Sequence, residues 1–163
     1  MNIAFLLTGG NLGDRSQNLH KAARLIERDC GHIINSSSVF QTAAWGFTQQ
    51  PDFYNQVIEI NTELQPDELM NALLKIENKL GRERSFKMAP RIIDIDILLM
   101  NGLVYQSETV TIPHPQLAER RFVLVPLAQI AGNIIHPVHN KTINQLLIEC
   151  KDELTVHKIS NGK

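Results

Sequence analysis

Apolar positions fall into short blocks whose spacing alternates between strand-like and helix-like. Ile3-Ala4-Phe5-Leu6-Leu7 is a continuous apolar run closed by Gly9-Gly10, which predicts a buried strand. Beyond Ser16, residues Leu19, Ala22, Ala23 and Ile26 share one helical face. That pattern stops before Gly31, read as a helix C′ residue. Ile33 to Phe40 is rich in β-branched residues and serines and predicts one strand, and residues 42–52 form a long loop. Val57-Ile58-Glu59-Ile60 is the next strand. Pro66 opens a second helix as an N1 proline. Leu69, Leu73, Ile76 and Leu80 form its apolar stripe, and Gly81 ends it. Ile92 to Met100 is the strongest strand pattern in the chain, followed by the turn pair Asn101-Gly102. Val104-Tyr105 and Val110-Thr111-Ile112 suggest a short further strand pair. Phe122–Ala131 suggests a third helix, and Thr142 a cap for a last one. The first strands and helices follow the order β-α-β-β-α-β. The expected fold class is therefore α+β, a ferredoxin-like antiparallel sheet with helices packed on it and C-terminal additions.

Composition narrows the partners. The 163 residues are 43% hydrophobic, and no repeat or low-complexity linker divides them, so a single domain over 1–163 is expected. Sixteen basic against seventeen acidic residues give a formal charge of −1. No dedicated nucleic-acid surface is expected from that balance. Apolar runs are too short for a membrane span. The first residues lack a basic segment followed by a cleavable apolar one, so secretion is not expected; a cytoplasmic location and a monomer are the working expectations. Cys30 and Cys150 are read as reduced, buried small hydrophobes.

The chemistry concentrates in Ile92-Ile93-Asp94-Ile95-Asp96-Ile97-Leu98-Leu99. Strand alternation puts Ile93, Ile95, Ile97 and Leu99 on one face and Asp94 with Asp96 on the other. The two aspartate Cα atoms lie roughly 6.5–7 Å apart at a rise of ~3.3 Å per residue. Neighbouring carboxylates on so apolar a strand repel each other, and a divalent cation relieves the conflict. Carboxylate oxygens suit Mg²⁺, which keeps waters and is often completed by substrate phosphates. An isolated Asp-x-Asp is ordinarily just a solvated face. Here the preceding segment carries Arg82, Arg84, Lys87 and Arg91 against one acid, Glu83. A cationic loop feeding a metal-binding strand suits phosphoryl or pyrophosphoryl transfer. The ordinary alternative for the loop alone is solubility, with its arginines paired to nearby acids. No Walker loop is present, and Gly9-Gly10-Asn11-Leu12-Gly13-Asp14-Arg15 lacks the dinucleotide spacing. His136, His139 and Cys150 could be read as a zinc site, but the proline-broken spacing favours loop histidines.

Four stretches together carry a resemblance: Gly9 to Arg15, Gly81-Arg82-x-Arg84, Pro90-Arg91-Ile92-Ile93-Asp94-Ile95-Asp96-Ile97-Leu98-Leu99, and Ile112-Pro113-His114-Pro115. In order and spacing the chain resembles the 6-hydroxymethyl-7,8-dihydropterin pyrophosphokinase family of folate biosynthesis. The resemblance implies transfer of the β,γ-pyrophosphate of ATP to the pterin hydroxymethyl group, releasing AMP, with two Mg²⁺ ions. It implies Asp94 and Asp96 as metal ligands and Arg82 and Arg91 as catalytic phosphate contacts. Arg84, His114 and Arg120 would be further phosphate contacts. Glu77 and the backbone around Ile97 and Thr111 would lie at the ATP pocket. Thr42, Ala43, Trp45, Phe53, Asn55 and Phe122 would form the pterin pocket, with two rings sandwiching the heterocycle.

The residue types agree with those roles. Stacking adds about 0.5–1.5 kcal/mol per aromatic pair beyond area burial, and an asparagine offers a donor and an acceptor to a ring edge. Core packing and turn formation are the ordinary alternatives for these residues. The chain departs from the family pattern at Gly10, where serine is usual. It also departs in Phe86-Lys87-Met88-Ala89-Pro90 and Thr42-Ala43-Ala44-Trp45-Gly46, so that Phe86, Met88 or Trp45 would close over the substrates. Two rivals use the same residues differently: another Mg²⁺-dependent phosphotransferase or nuclease, or a non-catalytic ferredoxin-like ligand-binding module.

Overall fold

The computed structural model describes residues 1–44, 49–82 and 90–159. Its elements run β1 (Asn2–Gly10), α1 (Arg15–Asp29), β2 (His32–Ser36), β3 (Phe40–Thr42), β4 (Phe53–Thr62), α2 (Pro66–Lys79), β5 (Asp94–Met100), β6 (Tyr105–Gln106) and β7 (Thr111–Ile112). A 3₁₀ turn (Leu117–Glu119), α3 (Arg121–Ala131), α4 (Ile143–Glu149) and β8 (Val156–Lys158) follow. The class is α+β. The main sheet is antiparallel in order β5-β1-β4-β3-β8, and β2 also pairs with β4. β6 and β7 form a separate small pair.

Local chemistry accounts for most boundaries. Asp14 caps α1, its carboxylate accepting from the Gln17 N–H at 3.1 Å. Pro66 sits in the first turn of α2, and Gln65 with Glu68 forms a capping box. Gly81 ends α2 at φ +93°, a left-handed conformation that glycine adopts freely. Thr142 caps α4, accepting from the Gln145 N–H.

One core lies on each face of the sheet. α1 and α2 cover one, with Leu19, Ile26, Leu69, Leu73 and Ile76 against Leu6, Ile58, Ile60, Ile95 and Ile97. α3 and α4 cover the other, with Leu124, Leu127, Ile143 and Leu146 against Phe5, Leu7 and Val57.

Several expectations are corrected. The predicted strand Ile33–Phe40 is broken in two, because Ser37 substitutes for the ladder. Its hydroxyl accepts from the Val57 N–H at 2.9 Å and donates to the Ser38 carbonyl at 2.7 Å. Gly31 does occupy the expected C′ position, next to the Cys30 C-cap, but without a left-handed φ. A Cβ there would lie 2.1 Å from the Asn61 carbonyl oxygen, so glycine permits β4 to pass close by. Leu99 does not share a face with Ile97. Register shifts where Phe5 faces Leu99 and Leu6 faces Ile97, leaving Leu98 as an extra residue. Leu98 and Leu99 therefore both join the second core, and Met100 returns to the first. Cys30 is buried as expected, its thiol pushed up to about 12 by burial and by Asp29, but Cys150 is only half-buried. The edge strand β8 is new. Its three residues are mostly exposed and carry no alternation to read.

Candidate active site

The strand register assembles the site. Gly9 of β1 lies between Asn55 of β4 and Asp94 of β5, and Leu7 lies between Val57 and Asp96. Asp94, Asp96 and Leu98 project from alternate β5 positions, upstream of the bulge's effect on Leu99. With no side chain at Gly9, this row is hollow. The resulting pocket is lined by Thr42, Ala43, Phe53, Asn55, Arg91, Asp94, Asp96, His114, Arg120 and Phe122, floored by Leu7, Gly9, Leu98 and Val123.

Charges converge at one end. Asp94 accepts from Arg91 Nη1 at 2.8 Å through Oδ2 and from Arg82 Nη1 through Oδ1. Glu77 is buried, accepting from Arg82 at 3.2 Å and from the Ile95 N–H at 2.6 Å. Asp94 is thus held by two guanidiniums. For Asp96, burial and the like charges of Asp94 and Glu77 push the carboxyl up to about 7, against the pull of Arg82 and Arg120. His114 is held below its ordinary range, first by burial and then by the Arg120 charge. Its Nδ1 accepts from the Gln116 N–H at 3.2 Å, which leaves Nε2–H as the donor of a neutral ring.

Aromatic rings stand beside these charges. The Arg91 guanidinium stands 5.2 Å from the centre of Phe53, and that of Arg120 stands 5.7 Å from Phe122. Asn55 is buried within the pocket wall. The Thr42 hydroxyl donates to the Thr155 carbonyl at 3.2 Å, which ties this part of the pocket wall to the segment leading into β8.

Most predicted residues come together, with exceptions. Glu77, Ile97 and Thr111 do not line the pocket. Glu77 lies beneath it, holding Arg82 and β5, and Ile97 is buried in the first core. Arg82 reaches the site through Asp94 rather than as a wall. Trp45, Arg84, Phe86 and Met88 lie outside the described residues. Leu7, Gly9, Leu98 and Val123 were missed. Strand parity with the aspartates was the available signal for Leu98, and the glycine pair for Gly9.

The donor set fits a hard cation of modest protein ligation. Two carboxylates share a face, and the like-charge conflict at Asp96 is the kind a dication relieves. Among the described residues no group of three or more His, Cys, Asp or Glu side chains could hold a metal, which also removes the zinc reading of His136, His139 and Cys150. Waters or substrate oxygens would have to complete a Mg²⁺ shell. No described helix is long and apolar enough to cross a membrane.

Comparison with known proteins places the chain in a family. The family model described as 7,8-dihydro-6-hydroxymethylpterin-pyrophosphokinase (HPPK) matches residues 5–132. A 2-amino-4-hydroxy-6-hydroxymethyldihydropteridine pyrophosphokinase of Aquifex aeolicus is 39% identical over 145 residues, covering 89% of this chain and 90% of that protein. The Bacillus subtilis protein of the same name is 40% identical over 134 residues, 82% of this chain and 80% of that one. The Dictyostelium discoideum folic acid synthesis protein FOL1 is 37% identical over 97% of this chain, which spans only 24% of that protein's length. A Plasmodium falciparum HPPK-DHPS crystal structure superposes with a TM-score of 0.75 at 19% identity, covering 91% of this chain and 43% of that one, and shares the fold. The chain belongs to the 7,8-dihydro-6-hydroxymethylpterin-pyrophosphokinase family.

Proposed function

We infer that this chain transfers the β,γ-pyrophosphate of ATP to the hydroxymethyl group of 6-hydroxymethyl-7,8-dihydropterin, giving AMP and the pterin diphosphate. The observation that carries the reading is one pocket whose wall combines guanidiniums and carboxylates with two aromatic rings and a buried amide. A flat heterocycle fits between Phe53 and Phe122, with Asn55 reading its edge. A polyphosphate fits beside Arg91, Arg120 and the Nε2–H of His114. Asp94 and Asp96 would hold Mg²⁺, two ions being expected. Bound there, Mg²⁺ would neutralise phosphate charge and lower the pKa of the attacking hydroxyl.

The chain's own residues orient the reaction. Arg82 and Arg91 brace Asp94 from both sides, and Glu77 beneath fixes Arg82 and the start of β5. Neutral His114 donates without adding charge. No side chain is required as a covalent nucleophile. The sheet order, with β1 and β4 central and both helices α1 and α2 on one face, supports a ferredoxin-like βαββαβ core with C-terminal additions. A cytoplasmic monomer with no nucleic-acid or membrane partner completes the reading.

The test is AMP formation from ATP and Mg²⁺ with and without the pterin. Pterin-dependent, equimolar AMP is expected. Asp96→Ala is expected to lose roughly three orders of magnitude in turnover with its fold intact. Near-normal turnover in that variant would remove Asp96 from metal binding, and pterin-independent AMP would favour a different phosphotransferase.

A further inference from the structure

Asn11 belongs to the glycine-rich stretch after β1 and lines no part of the pocket, yet it is 1% exposed. Every polar atom of its side chain is engaged. Oδ1 accepts from the Arg91 backbone N–H at 2.9 Å. Nδ2 donates to Gln50 Oε1 at 2.7 Å and to the Pro51 carbonyl at 3.0 Å. Its backbone N–H donates to the Arg91 carbonyl at 2.9 Å, and the Leu12 N–H donates to the same oxygen at 3.2 Å. One residue therefore holds both backbone polar groups of Arg91 and, through its amide, the segment that enters β4 at Phe53.

Neighbouring contacts reinforce the same junction. Arg15 donates to the Asp52 carbonyl at 2.7 Å and stacks 4.1 Å over Tyr54. Asp52 in turn accepts from Gln41 at 3.0 Å. The turn between β1 and α1 thus ties together two chain segments that are 39 to 80 residues away in sequence. These segments carry neighbouring parts of the pocket wall. Arg91 supplies a guanidinium to Asp94, and Phe53 supplies a ring face beneath that same guanidinium.

We propose that Asn11 is a positioning residue that fixes Arg91 relative to Phe53, and so holds the phosphate-binding part of the site at its working distance from the ring-stacking part. The proposal rests on the roles given above to Arg91 and Phe53. It does not place Asn11 in contact with either substrate. Misplacement of a reacting group by about 1 Å costs on the order of a hundredfold in rate, whereas binding of each substrate alone samples only its own part of the pocket. Loss of Asn11 should therefore appear in the reacting complex rather than in either binary complex.

The experiment measures single-turnover AMP formation at saturating ATP, Mg²⁺ and pterin. Alongside it go the dissociation constants of ATP and of pterin measured singly, and the thermal midpoint. Asn11→Ala is expected to slow single turnover by about tenfold or more and to change each affinity by less than about threefold. In an Arg91→Ala background, the same substitution is expected to cost less than about threefold, because the group it positions is gone. A purely structural role predicts equal losses in both backgrounds. That result, or a loss below about threefold in the otherwise normal chain, overturns the proposal. If Asn11→Ala does not fold, the cycle is run with Asn11→Asp. This variant keeps the Oδ1 acceptor for the Arg91 N–H and removes both donors to Gln50 and Pro51, and the same two outcomes decide. Absence of pterin-dependent AMP from the unsubstituted protein would sink the functional reading itself, whereas normal activity in the variant sinks only the role of Asn11.

Discussion

Gly9 shows how far a single missing side chain shapes the site. It pairs with Asn55 on one side and Asp94 on the other, and a Cβ there would sit 2.0 Å from Asn55 Oδ1. Alanine at this position must push the asparagine amide out of place, because the neighbouring Tyr54 carbonyl, 3.2 Å away, leaves the new methyl no other room. Gly9→Ala is therefore expected to weaken pterin binding by about tenfold, about 1.4 kcal/mol, with ATP affinity little changed. Equilibrium titration of each ligand checks this. Unaltered pterin affinity would show that Asn55 does not read the heterocycle. Sequence marks Gly9 as the end of a strand and the start of a glycine-rich stretch, without its contacts. Its partner atoms come from two other strands, and such long-range juxtaposition leaves no trace in local spacing.

At the scale of elements, β5 was the most legible segment and β2–β3 the least. Alternating isoleucines and aspartates placed Asp94 and Asp96 on one face, and the pocket has both in its wall. The parity then fails at Leu98 and Leu99, because a bulge inserts one residue against β1 without changing the apolar character of the run. The polar break between β2 and β3 was hidden for the opposite reason. Serine is tolerated in a strand, and only the fold shows that Ser37 closes the gap through its hydroxyl. That hydroxyl serves the N–H of Val57, which is fully buried, while the Ser37 N–H donates to the Val57 carbonyl at 2.8 Å. Ser37→Ala leaves the Val57 donor without its partner. The expected cost is about 1–3 kcal/mol of unfolding free energy, read from a lower urea midpoint at unchanged slope. A shift below about 0.5 kcal/mol would mean that the break between β2 and β3 is not held by this contact.

The main sheet carries a core on each face, and the second core adjoins a loop built around a histidine. That loop joins α3 to α4, whose apolar residues close the face behind the pocket floor. His136 is 4% exposed, and its Nδ1 accepts from the Val138 and His139 N–H groups, both at 3.2 Å. The His139 ring lies 4.5 Å away. Burial, and then His139, lowers the His136 pKa from 6.5 to about 4. Protonating Nδ1 would also replace an acceptor by a donor facing two donors. The unfolded chain therefore binds the proton more readily than the native one between these two values. Stability that is fully present above pH 6.5 is lost as pH falls toward 4, amounting to about 2 kcal/mol at pH 5 for this group. His136→Asn supplies an acceptor at a similar position without titrating. Urea unfolding of both proteins at pH 7 and pH 5 should show a gap between the two pH values that is smaller in the variant by up to about 2 kcal/mol. Equal gaps in the two proteins would place the acid sensitivity elsewhere and leave His136 as a loop acceptor with no part in the pH response of the second core.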